Sequence, residues 1–194
     1  WHAAEPGTNP DFLYQQNTLR DALLAALNFH IFHAHADRVT MANIAQMVNV
    51  LQAMILTDKE KMIVTPTYHA FEMFKVHQGA TVLAATLATP DYEFGGEKIP
   101  AVSASASRDA AGRIHVSLVN TNPHDAITVT VTLAGAAAQS VTGRILTAPA
   151  TNAHNTFDAP HAVEPAPFTG ATLAGGKLTV ALPAKALVVL ELHD

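Results

Sequence analysis

Two neighbouring runs decide the fold of this chain: IPAVSASAS at residues 99–107 and RIHVSLVNT at residues 113–121. Both runs are short and rich in strand-forming residues, and the turn-forming segment DAAG at 109–112 separates them. Five further runs of this kind follow the same pattern, at residues 81–88, 126–133, 140–147, 177–182 and 187–192. Seven short runs at this spacing predict an antiparallel β-sandwich or jelly roll. A polar, proline-containing loop is predicted at 148–167.

The pattern is helical from residue 9 to about residue 77. Asn9-Pro10-Asp11 is typical of a helix start, and apolar residues then recur at every fourth position. We predict a helix over about residues 10–35, a short apolar strand at 38–42, and a second helix from Thr65 to near Gly79. Because the predicted strand has no polar alternation, it is of the kind that is buried on both faces of a parallel sheet. A helix followed by such a strand indicates an α/β layer.

The composition describes a compact, mildly acidic chain. Its 194 residues carry 11 Lys and Arg against 16 Asp and Glu, so the formal net charge is −5, and 49% of the residues are hydrophobic. So much apolar side chain excludes a disordered chain, and the lack of a basic run argues against a nucleic-acid partner. Cysteine is absent, which excludes disulfides and thiolate chemistry. Because only 14% of the residues are charged, we expect an apolar surface that lies against another part of the protein.

No segment predicts a membrane span or a secretion signal. The longest uncharged stretch in the first third, residues 22–36, is shorter than the roughly 18–20 residues that a span needs. The chain opens with Trp1-His2, without an initiator Met and without a basic region. We therefore expect a fragment or a processed piece of a longer protein.

Eleven histidines invite a metal hypothesis. His30 and His33 lie three positions apart on the predicted helix, and Asp37 follows four positions later, which is a spacing compatible with metal ligands. The alternative is that these side chains cap and solvate a helix end, and this alternative is favoured because no second ligand pair recurs at a matching spacing. The pair His69 and Glu72 is interpreted as surface for the same reason. We predict no metal site.

No pair of carboxylates suggests a complete catalytic site. Hydrolysis of a glycosidic bond needs two carboxylates that flank the bond, and none of the seven Glu residues pairs convincingly with another. Glu60 lies in a charged turn, and Glu191 is assigned to an edge strand near the end of the chain. We therefore predict no catalytic residue within the chain.

Three amides follow the predicted buried strand, at Asn43, Gln46 and Asn49. In a (β/α)₈ barrel the carboxyl ends of the strands face the active site, and an amide there can both donate to and accept from a sugar hydroxyl. The alternative is that the three amides satisfy buried backbone groups. Trp1 carries a flat apolar face suited to sugar stacking, although a single terminal Trp is more often part of a core.

Ordered segments along the chain share a pattern with a known enzyme family. They are EPGTNP at 5–10, FLYQQ at 12–16, MANIAQ at 41–46, VNVL at 48–51, TPTYH at 65–69, VHQ at 76–78 and NTFDAP at 155–160. Together with the closing strands at 178–192, they resemble the C-terminal part of a glycoside hydrolase family 51 α-L-arabinofuranosidase. The resemblance covers nearly the whole chain.

The resemblance implies a fold of two parts. Residues 1–78 would be the C-terminal portion of a (β/α)₈ TIM barrel, with the strand-eight region and its flanking helices, and residues 79–194 would be the C-terminal β-sandwich domain. Enzymes of this family are retaining and use two Glu residues on strands four and seven. Trp1-His2 resembles the end of the strand-seven motif, which would place the nucleophile four positions upstream of residue 1. The chain alone is therefore expected to be inactive.

The resemblance also implies a substrate and partners. The intact enzyme would be exo-acting and would release terminal α-L-arabinofuranosyl residues from arabinoxylan, arabinan and arabino-oligosaccharides. Gln46 resembles the strand-eight glutamine that binds the arabinofuranose, and Trp1 resembles an aromatic residue of the aglycone side. The implied partners are the N-terminal barrel portion of the enzyme and further copies in a homo-oligomer, with no cofactor, no nucleic acid and no membrane. The implied location is cytoplasmic.

Two alternatives from other classes remain open. The first is a non-catalytic carbohydrate-binding or assembly module made chiefly of residues 79–194, although the predicted sandwich holds few aromatic residues and no Trp. The second is a metal-dependent protein that uses the histidines.

Overall fold

The structure is a computed structural model and describes residues 17–193. Two helices and two short hairpins accompany two antiparallel sheets. The elements in chain order are α1 Leu19–Ala34, β1 Ile55–Asp58, β2 Lys61–Val64, α2 Pro66–Phe74 with a 3-10 turn Lys75–His77, β3 Thr81–Leu83, β4 Asp91–Phe94, β5 Glu97–Pro100, β6 Val102–Arg108, β7 Ile114–Asn120, β8 Ile127–Thr132, β9 Ser140–Leu146, β10 Ala166–Pro167, β11 Ala171–Ala174, β12 Lys177–Leu182 and β13 Ala186–His193.

The larger sheet has six strands in the order β10-β9-β13-β7-β6-β3, and the smaller has three in the order β11-β12-β8. Every pair of neighbouring strands in these sheets is antiparallel. The hairpins β1-β2 and β4-β5 each form a separate two-stranded sheet. The described residues therefore form mostly antiparallel β-sheets with few helices.

The two larger sheets pack face to face over an apolar core. Val188 and Leu190 of β13 contact the core from the six-stranded sheet, and Leu178 and Val180 of β12 contact it from the three-stranded sheet. All four side chains are fully buried. Because side chains alternate along a strand, the intervening residues of β13 point to the opposite face of the six-stranded sheet.

Both helices pack against that opposite face. Phe29 of α1 and Phe74 of α2 belong to the same buried cluster as Leu187 and Val189 of β13. The Phe29 ring lies 4.9 Å from the Phe74 ring, measured between centroids. The molecule is thus built in three layers, and the strand β13 is apolar on both faces because it lies between two cores.

The central position of β13 corrects one sequence-based assignment. Glu191 was assigned to an edge strand, but β13 lies between β9 and β7 and is paired along its length with both. A chain terminus gives no information on the order of strands in a sheet, since that order depends on non-local pairing.

The predicted helices are found with different bounds. α1 begins at Leu19, after Thr18, whose backbone N–H and hydroxyl both donate to the Asp21 carboxylate at 2.6 and 2.8 Å. The predicted start at residues 10–16 lies outside the described residues. The second helix is confirmed: Thr65 caps it and Pro66 occupies its first turn, as the sequence predicts.

The strand predicted at residues 38–42 is not formed among the described residues. Residues 39–44 have no regular secondary structure, and the Met41 side chain is 75% exposed. A buried parallel strand needs neighbouring strands to accept and donate its backbone hydrogen bonds. Among residues 17–193, no strand pairs with this segment.

The sandwich strands agree closely with their predicted runs, except near residue 85. The run 177–182 is reproduced as β12, whereas the run 81–88 shortens to β3, which has three residues. The run predicted at 99–107 divides between the end of β5 and β6, which belong to different sheets. The strands β1, β2, β4, β10 and β11 were not predicted from the sequence. The long loop at 148–167 is confirmed as mostly irregular, with β10 at its end.

Candidate functional site

Gln46 lies in the irregular loop of residues 43–54, which connects the segment after α1 to β1. Its side chain is exposed, as are those of Asn43 and Asn49. The peptide bond between Ala45 and Gln46 is cis. Of the three amides, Asn49 serves a backbone group, since its Oδ1 accepts from the N–H of Thr57 at 2.7 Å, but that group is exposed rather than buried.

Backbone hydrogen bonds close the Gln46 loop onto β1. The carbonyl of Met47 accepts from the N–H groups of Met54 and Ile55, both at 3.0 Å, and Val48 forms a parallel bridge with Ile55. At the far end of the loop, the hydroxyl of Thr65 donates to the carbonyl of Ala53 at 2.9 Å. The loop is therefore attached both to the β1-β2 hairpin and to the start of α2.

Exposed apolar side chains concentrate around this loop. Met47 is 64% exposed, and Met41, Val48, Val50 and Met62 are exposed as well. A cluster of exposed large apolar residues is unusual on a soluble monomer and marks a contact surface. The low charge of the sequence led us to expect such a surface.

The second residue predicted to contact substrate, Trp1, lies outside the described residues. Of the two predicted site residues, the structure therefore describes only Gln46.

Three carboxylates of the described residues, those of Glu72, Asp109 and Glu191, are engaged in ion pairs with arginines. Arg144 donates to Glu72 at 2.8 Å, and Arg113 bridges Asp109 at 2.8 Å and Glu191 at 3.1 Å. Burial alone would raise the pKa of Glu72, but hydrogen bonds from Arg144 and Lys75 outweigh it and lower the pKa. A general acid needs the opposite shift, because it must hold its proton near neutral pH.

The histidines of α1 lie against the six-stranded sheet. The His30 ring is within 2.8 Å of the Ser103 hydroxyl through Nδ1 and within 3.0 Å of the Ser117 hydroxyl through Nε2. His33 Nδ1 lies 2.9 Å from Ser105 Oγ. His30 is buried, so the interpretation that it solvates a helix end is wrong for this residue, whereas His33 does lie in the last turn of α1.

A third imidazole continues this histidine–serine interface. His77, in the turn after α2, places Nδ1 at 2.7 Å from Ser107 Oγ. The serines at 103, 105 and 107 alternate with alanines on β6 and so share the face of the sheet that meets the helices. The alternating SASAS pattern was the signal that could have identified this interface from the sequence.

Burial controls the charge of these imidazoles. Desolvation by burial, together with the nearby His33, lowers the pKa of His30 to about 3. Burial, with the neighbouring His33, His115 and His30, likewise lowers the pKa of His77 to about 3. The interface is therefore neutral at physiological pH. Within residues 17–193, no group of three or more His, Cys, Asp or Glu is arranged to hold a metal ion.

The described helices include none that is long and apolar enough to cross a membrane. The architecture is that of a paired-sheet β-domain with a helical layer on one face and an exposed, amide-bearing loop. Residues 1–186 match the family model of the α-L-arabinofuranosidase C-terminal domain, and the chain belongs to that family.

The chain is similar to longer enzymes of known name. It is 47% identical to the intracellular exo-α-L-arabinofuranosidase of Bacteroides ovatus, over all of this chain and 38% of that enzyme. The crystal structure of the family 51 arabinofuranosidase from Xanthomonas axonopodis pv. citri superposes with a TM-score of 0.95 at 52% identity, over 100% of this chain and 39% of that one. A family 51 α-L-arabinofuranosidase from Bifidobacterium longum gives a TM-score of 0.84 at 26% identity, over 93% of this chain and 36% of its own. The chain thus spans less than half the length of these relatives and corresponds to the C-terminal part of a family 51 enzyme.

Proposed function

We propose that this chain is the C-terminal segment of a retaining, exo-acting α-L-arabinofuranosidase. In the complete enzyme, it would help to release terminal arabinofuranosyl residues from arabinoxylan, arabinan and arabino-oligosaccharides. The carrying observation is the match of the whole chain to the Xanthomonas arabinofuranosidase. The reaction would be a double displacement through a covalent arabinosyl intermediate, with both catalytic Glu residues on the part of the enzyme that precedes this chain.

We assign residues 1–78 to the end of a (β/α)₈ barrel and residues 79–194 to the β-sandwich domain. The exposed apolar side chains at Met41 and Met47 support this division, because barrel strands supplied by the preceding part of the enzyme would cover them. In that setting, residues 38–42 would gain the strand partners that they lack here and would become strand eight. The preceding barrel portion is then the main partner of this chain.

We assign Gln46 and Trp1 to the substrate site. The exposed position of Gln46 on a loop that follows residues 38–42 supports this role, since loops at the carboxyl ends of barrel strands form the active site. The relatives named as intracellular support a cytoplasmic location. Assembly into a homo-oligomer is part of the same proposal, and its mass in solution, measured by light scattering, tests it.

Kinetics of the complete enzyme test the site. We expect Gln46→Ala to lower kcat/KM on an aryl α-L-arabinofuranoside by about 5- to 30-fold, because one lost hydrogen bond to the sugar costs about 1–2 kcal/mol. Gln139→Ala, at an exposed amide near β9, serves as the matched control and should keep the parental value. Parental kinetics for Gln46→Ala would remove the site assignment.

The isolated 194-residue chain provides a second test. It should release no aryl group from the same substrate, since it carries neither catalytic Glu. Turnover by the chain alone, above that of a mock preparation, would contradict the proposal.

The alternative of a carbohydrate-binding module is favoured by one observation. Phe94, at the turn of the β4-β5 hairpin, is 77% exposed and offers a flat apolar face. Titration calorimetry of the chain with arabinoxylan tests it. Binding that Phe94→Ala abolishes would support a module of this kind.

A further inference from the structure

Asn49 closes the Gln46 loop with its side chain. Its amide nitrogen Nδ2 donates to the hydroxyl of Thr57 at 2.8 Å, and its Oδ1 accepts from the backbone N–H of Thr57 at 2.7 Å. The backbone N–H of Asn49 donates in turn to the carbonyl of Ile55 at 3.1 Å. One residue of the loop is thus joined to β1 by three hydrogen bonds.

The backbone at Asn49 is suited to this contact. Its φ is 60°, in the left-handed region that Asn, Asp and Gly tolerate better than other residues. The left-handed residue turns the chain back toward β1, and the side-chain amide then reaches Thr57. Asn49 therefore supplies both the turn and the contact that holds it.

Thr57 is itself held in a hairpin. It pairs with Met62 in the β1-β2 register, and the next strand residue of β2, Ile63, is buried. Val64, at the end of β2, accepts a hydrogen bond from the buried Asn155 at 2.9 Å. The Asn49 side chain thus connects an exposed loop to a hairpin that is attached to the body of the molecule.

The position of this contact gives it a consequence for Gln46. Met47, whose carbonyl accepts two hydrogen bonds, is the residue directly after Gln46. Asn49 follows Gln46 by three residues. Both contacts fix the backbone from which the Gln46 side chain extends. A group that must meet a sugar hydroxyl within a few tenths of an ångström depends on such support.

We propose that Asn49 is a positioning residue, which holds the Gln46 loop on β1 through Thr57 and so aligns Gln46 for the sugar. This role rests on the proposed function of Gln46. Asn49 itself touches no substrate, and its effect on activity passes through Gln46.

Two substitutions of Asn49 separate its side chain from its backbone conformation. Asn49→Gly keeps a backbone that tolerates positive φ but loses both side-chain hydrogen bonds. Asn49→Asp keeps the acceptor for the Thr57 N–H, and its second oxygen accepts from the Thr57 hydroxyl. In the complete enzyme, we expect Asn49→Gly to lower kcat/KM on the aryl arabinofuranoside about tenfold and Asn49→Asp to restore most of it.

The double variant identifies the route of the effect. In a Gln46→Ala background, Asn49→Gly should cause little further loss, because the group that it positions is already gone. If the two losses multiply, or if Asn49→Asp is as slow as Asn49→Gly, Asn49 does not act by positioning Gln46 and the proposal is overturned.

Hydrogen exchange of the 194-residue chain tests the contact independently of activity. We expect Asn49→Gly to accelerate amide exchange in a peptide covering residues 47–57 and to leave the peptide of β12 at its parental rate. Unchanged exchange in the loop would overturn the proposal. If exchange accelerates but Gln46→Ala has parental kinetics, the failure lies in the proposed site, and the positioning role fails with it.

Discussion

The buried imidazoles of His30 and His77 should make this chain sensitive to mild acid. In the folded chain, burial lowers the pKa of each to about 3. In the unfolded chain, an imidazole titrates near its ordinary pKa of about 6.5. Between these two values, the unfolded state binds more protons than the folded state, so the free energy of unfolding decreases as the pH falls.

The size of the effect follows from the two pKa values. Between pH 7 and pH 5, the unfolded imidazole becomes almost fully protonated while the folded one remains neutral. Linkage then gives a loss of about 2 kcal/mol per imidazole, or about 4 kcal/mol for His30 and His77 together. The pKa of His33 is also lowered by burial, which adds to the loss. His115 of β7 faces His77 as well, with 6.3 Å between the ring centroids, and its Nε2 lies 3.1 Å from Asp109 Oδ2.

Urea unfolding at pH 7, 6 and 5, followed by far-ultraviolet circular dichroism, measures this dependence. His30→Gln keeps a side chain that can form hydrogen bonds to serine but removes the titrating imidazole. Between pH 7 and pH 5, its free energy of unfolding should therefore decrease by about 2 kcal/mol less than that of the parent. His124→Gln, at an exposed imidazole after β7, is the matched control and should behave as the parent. Equal pH dependence of the parent and His30→Gln would refute the reasoning.

Two further substitutions test the packing. Leu187→Ala, in the strand between the two cores, should lower the free energy of unfolding by about 2–5 kcal/mol in urea titrations, whereas Leu87→Ala, at a side chain that is 38% exposed, should lower it by less than Leu187→Ala does. Asn155→Ala leaves buried backbone groups without their partner and should cost about 1–3 kcal/mol, seen as a lower Tm, while the exposed Asn152→Ala should leave Tm nearly unchanged. A Leu187→Ala chain as stable as Leu87→Ala, or an Asn155→Ala chain as stable as Asn152→Ala, would contradict the burial of Leu187 and Asn155.

The strands of the sandwich could be predicted because their signals are local. The segment at 109–112 forms the turn between β6 and β7, where Asp109 Oδ1 accepts from the N–H groups of Ala111 and Arg113. The cap at Thr65 is equally local. By contrast, the order of strands in a sheet depends on pairing between distant residues. Because no local pattern reports that order, the prediction of an edge strand at Glu191 is wrong.

The strand at 38–42 shows a different kind of failure. The segment contains the strand-forming residues Val39 and Thr40, but a strand exists only where neighbouring strands complete its hydrogen bonds. The same reasoning applies to the site. An exposed Gln46 agrees with a loop position, whereas the role of Asn49 depends on Thr57, eight residues away, and no local pattern relates the two.

The packing of the helices limits how the sandwich can be studied alone. The proposed boundary between residues 78 and 79 separates α1 and α2 from the sheet on which they pack. A segment of residues 79–194 would expose Leu187 and Val189, and the hydroxyls of β6 would lose their imidazole partners. Exposed apolar patches of this kind promote association. Sugar binding by the sandwich is therefore best measured on the whole chain, where a heat signal reports on a folded sheet.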